Sequence, residues 1–289
     1  MIIAKIILKN FAKTPFLVFC SKLIILYQWS PHKKAGVFMR ESERNSKASM
    51  KLLDKANNYF INENYDNSMT FVNKAIQKDP QNPDCYELKA DNYLVKNNSP
   101  KAIENYSKAM LLGLRNEAIY CSRGMAYQEL GNFHKALADY NLALELNPKF
   151  HPALSRRGII YMELKNFANA IKDFDAALEI DQNDNDTWFN KFNAYEQKGN
   201  LPMALDELNA FVSARKNDVP LEFFLQRGHL NSKMGFGQKS VEDFSRLIFK
   251  IDDFELAYEW RATEYEKLGE LEKAKADRDK VNELKSLGV

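Results

Sequence analysis

Seven basic residues recur along this chain, Lys55, Lys89, Arg123, Arg157 and Lys191 at a spacing of 34, then Arg227 and, 34 further on, Arg261, after a two-residue insertion at Val219-Pro220. A ladder of cations is a pattern that could bind phosphates. Sixteen residues beyond the last five, however, stand Asp139, Asp173, Glu207, Asp243 and Asp277. An acid at a fixed offset from each base is the pattern of an internal ion pair, and the planar guanidinium fork suits a partly buried carboxylate better than an ammonium does. Arg123/Asp139, Arg157/Asp173, Arg227/Asp243 and Arg261/Asp277 are therefore expected to be structural ion pairs, each contributing about 0.5–2 kcal/mol depending on burial.

The other reactive side chains do not form a constellation. His32, His134, His151 and His229 are far apart and lack a metal-binding spacing, and Cys20, Cys85 and Cys121 are too few and too scattered for a disulfide framework or a zinc site. Gly235-Phe236-Gly237 lacks the strand and spacing of a phosphate loop. No catalytic, cofactor or metal site is expected, and no small-molecule substrate.

These residues must be positioned by a folded scaffold. The 289 residues are 45% apolar and 28% charged, a globular balance that excludes a collagen-like or disordered chain. The formal charge is +2, which gives no argument for nucleic acid as a partner. That small number is a cancellation. Residues 1–40 hold Lys5, Lys9, Lys13, Lys22, Lys33, Lys34 and Arg40 and no acid, a charge of +7, leaving −5 on the other 249 residues. This leader is also apolar, but Pro15 and Lys22 break it below the length of a spanning helix. Three readings stay open for it: a signal, anchor or membrane-surface helix; a misassigned start, with the protein beginning at Met39 or Met50; or a helix packed on the body. The first makes the protein membrane-associated or exported, with an anionic membrane surface as a partner of residues 1–40; the alternative is cytoplasmic. Residues 41–48 read as a polar linker or a first-helix start.

From residue 49 the chain repeats itself. Ala56, Ala90, Gly124 and Gly158 are spaced by 34, each three residues before a tyrosine, and Ala102, Ala136, Ala170 and Ala204, and Ala75, Ala109, Ala143 and Ala177, keep the same period. Each unit holds two segments of helical apolar periodicity. Gly131, Gly199, Gly235 and Gly269 close the first segment and Pro100 and Pro202 open the second. The units are 49–82, 83–116, 117–150, 151–184, 185–218, 221–254 and 255–289. The fifth departs, with Phe192 at the small position and Phe211 in place of alanine, and the sixth has Asn231 in place of tyrosine.

Tyr120, Gly124, Tyr127, Leu130-Gly131, Ala136, Tyr140, Ala143 and Pro148 carry a resemblance to the tetratricopeptide repeat, and it extends over 49–289. The resemblance implies an all-α fold, a right-handed superhelix of about seven helix hairpins. It also implies a concave groove lined by positions 2, 5, 9, 12 and 13 of each first helix. Among those 35 positions stand Asp84, Glu87, Asp91, Glu129, Glu163, Asp186, Glu196, Glu222, Glu259 and Glu266 against only Lys233 and Lys267, with Met125, Ile159, Phe189 and Asn193 among the uncharged ones. The expected function is a non-enzymatic interaction scaffold that binds a basic, partly apolar peptide or helix of another protein in an acidic groove. The alternative is an accessory or regulatory subunit of a membrane-associated enzyme or export or assembly complex. Chaperone-binding members clamp a terminal carboxylate with lysine, asparagine and arginine, but here only Asn57 matches, with Leu53, Leu88, Ala118 and Ser122 at the other places. An acidic-tail ligand is disfavoured.

Overall fold

The computed structural model describes residues 41–215 and 218–287. The leader, and every expectation placed on it, lies outside the described residues. Fourteen α-helices and no strands are found among the described residues. They are α1 (Glu41–Ile61), α2 (Tyr65–Lys78), α3 (Pro83–Val95), α4 (Ser99–Leu111), α5 (Glu117–Glu129), α6 (Phe133–Leu146), α7 (His151–Glu163), α8 (Phe167–Ile180), α9 (Asn185–Gln197), α10 (Leu201–Arg215), α11 (Leu221–Lys233), α12 (Gly237–Lys250), α13 (Glu255–Lys267) and α14 (Leu271–Leu287). Residues 41–48 are the opening turns of α1. No helix among the described residues is long and apolar enough to cross a membrane.

Each helix pair is punctuated by the same chemistry. Between first and second helices one residue takes a positive φ: Glu63, Asn97, Gly131, Lys165, Gly199, Gly235 and Gly269. Glycine meets that requirement without strain, whereas Glu63 and Lys165 meet it at a cost that the surrounding turn must offset. One residue later Asn64, Asn98, Asn132 and Asn166 cap the second helix, their side chains accepting from the backbone N–H three positions on. Asn116 caps a first helix in the same way, Asn82 accepts from the N–H of Asp84 two positions on, and Asp184 accepts from those of both Asp186 and Thr187.

The helices gather into two compact units, one ending at Arg156 and one beginning at Arg157. In the first, α1 packs on α2, α3 on α4 and α5 on α6, and the first helices also meet one another, α1 with α3 and α3 with α5. Leu53, Ala56, Phe60, Val72, Ala75, Cys85 and Leu88 form one buried cluster there. In the second unit, Phe192, Leu208, Phe211, Phe223, Phe224, Phe244 and Leu247 form an aromatic-rich core. The departures of the fifth repeat are accommodated within it. Phe211 stacks on Phe223 of the next hairpin with ring centroids 3.7 Å apart.

The small column has a direct steric reason. A Cβ built on Gly124 would lie 2.8 Å from the Tyr140 ring, on Gly158 2.5 Å from the Phe174 ring, and on Gly228 2.7 Å from the Phe244 ring. In the fifth repeat the volumes are exchanged: Phe192 stands on the first helix, and Leu208 holds the place sixteen residues on that Tyr106, Tyr140, Phe174 and Phe244 occupy in their hairpins. Total volume across the hairpin is thereby roughly conserved.

Candidate protein-binding groove

The basic ladder turns inward. Arg123 donates from Nε and Nη2 to the two carboxylate oxygens of Asp139 at 2.8 and 2.7 Å, and Arg157 does the same to Asp173 at the same distances. Arg227 grips Asp243 at 2.9 and 2.6 Å, and Arg261 grips Asp277 at 2.8 and 2.7 Å. All four aspartates are buried. Three of these arginines also reach the preceding hairpin, Arg123 to Ser107, Arg227 to Asn209 and Arg261 to Ser245. The fork thus ties two helices of one hairpin and joins that hairpin to its neighbour. Lys191 makes the corresponding contacts with Glu207 and Asp175 at 2.8 and 2.7 Å. Where the first repeat has Phe71 instead of an acid, the Lys55 ammonium sits 4.3 Å above that ring.

The acids expected along the groove have different surroundings in the two units. In the second unit Glu196 pairs with Lys233 at 3.8 Å, Glu266 with Arg278 at 3.1 Å, and Glu259 with Lys285 at 2.9 Å. Arg278 and Lys285 come from α14, a second helix, and a rule that reads only first-helix positions omits them. Glu163, Asp186 and Glu222 are exposed; Ile159, Phe189 and Asn193 are half-buried. Phe189 meets Phe192 and Phe223 edge to face. Lys267 is held by the buried Glu264 at 2.6 Å, and Ser232 donates to the same oxygen.

In the first unit Asp84, Glu87 and Asp91 stand at i, i+3 and i+7 on α3, so that they share one face of the middle first helix. All three are half-buried, and none has a lysine or arginine within ion-pair distance among the described residues. The phenol of Tyr106, from α4, donates to Asp91 Oδ1 at 2.6 Å. Glu129 on α5 is exposed and accepts a short hydrogen bond from Ser99, and Met125 is buried.

Burial, and secondarily the charges of Asp91 and Asp84, push Glu87 up to about 8. Burial raises Asp91 to about 6, the Tyr106 hydrogen bond opposing the rise, and burial also raises Asp84. A carboxyl whose folded pKa lies above its unfolded one stabilises the fold at low pH, and that contribution is lost as pH rises through the folded value. The chain should therefore lose stability between about pH 5 and pH 8.5, and Glu87→Gln should remove roughly 1–2 kcal/mol of that loss. Urea unfolding at the two pH values, wild type beside the variant, measures this; equal pH dependence in both would contradict it.

Burial pushes the Cys85 thiol up to about 11, with Ser49 Oγ 3.6 Å from its sulfur, which is the environment of an unreactive thiol. No group of three or more His, Cys, Asp or Glu side chains among the described residues could hold a metal ion.

A chain built of repeated helix hairpins, several with a small residue on the first helix facing a ring on the second, belongs to the all-α hairpin-repeat class. It contains tetratricopeptide repeats: the family model of that name matches residues 118–150 and 151–184. Solved structures agree on the fold. A tetratricopeptide repeat protein from Parabacteroides merdae is 24% identical with a TM-score of 0.59, over 82% of this chain and 93% of its own. The C-terminal part of a repeat protein from Cytophaga hutchinsonii is 17% identical with a TM-score of 0.70, over 80% and 95%. YrrB, described as a tetratricopeptide repeat protein with an unusual peptide-binding site, is 22% identical with a TM-score of 0.51, over 61% and 95%. No curated protein matches the chain.

Proposed function

We propose that the protein is a non-enzymatic scaffold whose α1, α3 and α5 face binds a basic, partly apolar peptide or helix of another protein. One observation carries this reading: Asp84, Glu87 and Asp91 are half-buried on one helix face without a cation, whereas Glu196, Glu259 and Glu266 are paired. Holding carboxylates together away from water costs free energy that an arriving ammonium or guanidinium recovers. The half-buried Ile61 and Val95 give the same face its apolar share. The +7 leader belongs to this proposal as the part that brings the scaffold to an anionic membrane surface.

The test is fluorescence anisotropy of a labelled peptide of Lys-Leu-Ala repeats, with its Glu-Leu-Ala counterpart as control. Full-length protein should prefer the basic peptide. Raising salt from about 0.05 to 0.5 M should weaken binding, because surface charge interactions are screened over that range. Neutralising Asp84, Glu87 and Asp91 together should weaken it by roughly tenfold or more. Indifference of binding to both salt and neutralisation would defeat the groove reading.

A further inference from the structure

Tyr106 occupies the ring position of the second hairpin, the place that Phe174 and Phe244 take in the fourth and sixth. Those hairpins show that a ring packs there without a hydroxyl. In the third hairpin Tyr140 spends its hydroxyl on the neutral amide oxygen of Gln128, at 2.8 Å. Tyr106 instead is fully buried and directs its O–H through the core to a groove carboxylate, Asp91 Oδ1, at 2.6 Å. That is the short distance of a hydrogen bond to an ionised acceptor.

We infer that Tyr106 is a positioning residue for partner binding: from the core it fixes Asp91 as the ionised carboxylate that receives the partner's ammonium or guanidinium. This rests on the groove reading above. The bond occupies Oδ1 and sets the carboxylate plane, leaving Oδ2, which has no partner among the described residues, to accept from a ligand. Glu87, one turn away on the same face, is pushed up by burial and by the charges of Asp91 and Asp84, since two adjacent half-buried carboxylates do not both ionise readily. The groups acting on this site are Asp84 and Glu87 on α3, Tyr106 on α4, and Ser122 on α5, which interacts with the same phenol. A partner with a fixed cation spaced to reach Asp91 is thereby preferred over one that offers only diffuse positive charge.

The experiment is Tyr106→Phe in the full chain, a substitution whose product the fourth and sixth hairpins already tolerate. Carbon-detected NMR of the aspartate carboxyl groups should show the Asp91 titration moving up by about one pH unit when the donor is lost. The thermal midpoint should stay near that of wild type. Affinity for the Lys-Leu-Ala peptide at pH 7 should fall about threefold to tenfold, and the deficit should shrink toward pH 9, where Asp91 ionises without help. An unmoved Asp91 titration overturns the inference. So does unchanged peptide affinity in Tyr106→Phe when Asp91→Asn lowers it. If Asp91→Asn itself leaves affinity intact, the groove reading falls and this role with it, and that failure is told apart by the variant in which it occurs.

Discussion

Replacing Gly158 by alanine destabilises the protein, although alanine is the better helix former. On propensity alone the exchange at a helical position gains about 1 kcal/mol. Here the new Cβ arrives 2.5 Å from the Phe174 ring edge, with two further ring atoms at 2.9 and 3.0 Å. Relief requires the ring to leave its rotamer or α7 and α8 to separate, and overpacking of this kind costs roughly 1–3 kcal/mol. A 2.5 Å contact puts the steric cost toward the upper end of that range, so the expected net loss is up to about 2 kcal/mol, rising beyond ~3 kcal/mol for Gly158→Leu. The fifth repeat supplies the rescue, since Phe192 on the first helix coexists there with Leu208 in the ring position. Gly158→Leu combined with Phe174→Leu should recover at least ~1 kcal/mol relative to the sum of the single losses. Urea midpoints at constant slope measure the cycle; strict additivity would show that the two sites do not share a volume.

The second large effect is expected at Asp173. Its carboxylate is 6% exposed and receives both arms of the Arg157 fork. Asp173→Ala leaves the guanidinium half-buried and without that partner, a change that costs ~3–4 kcal/mol even though the intact pair contributes only about 0.5–2 kcal/mol over an uncharged replacement. The asymmetry arises because desolvation of both ions is already part of the folded state, and deleting one removes the attraction while the other remains desolvated. Arg157→Glu should be at least as damaging, since it places two carboxylates together. Adding Asp173→Arg to it should restore part of the loss, visible as a higher thermal midpoint than that of Arg157→Glu alone. No restoration would show that the two groups do not interact in solution.

Much of this architecture is legible one residue at a time. The 34-residue columns of small residues, tyrosines and alanines identify a hairpin repeat because each hairpin solves the same packing problem. The paired offset from Arg157 to Asp173 is legible for the same reason: both partners lie in one repeat at a fixed separation. A further column, Asn64, Asn98, Asn132, Asn166 and Asn200, was equally open to view at that period, and its capping role follows from its place just before each second helix. The contacts from the arginine forks to Ser107, Asn209 and Ser245 were less visible, because they join successive hairpins and their polar ends vary in type.

The charge of the groove is where position in the repeat stops being informative. Counting first-helix positions gives ten acids against two lysines and treats every acid alike. Long side chains from α14 reach back, so that Arg278 lies beside Glu266 and Lys285 beside Glu255 and Glu259. Asp84, Glu87 and Asp91 receive no such cover, and Asp91 meets Tyr106 instead. The repeated unit and its internal ion pairs are readable from the residues alone, because those depend on local periodicity and fixed separations within one hairpin. Which carboxylates stand without a neighbouring cation is fixed by the tertiary fold, because that depends on which side chains, tens of residues apart, end within a few ångströms of one another.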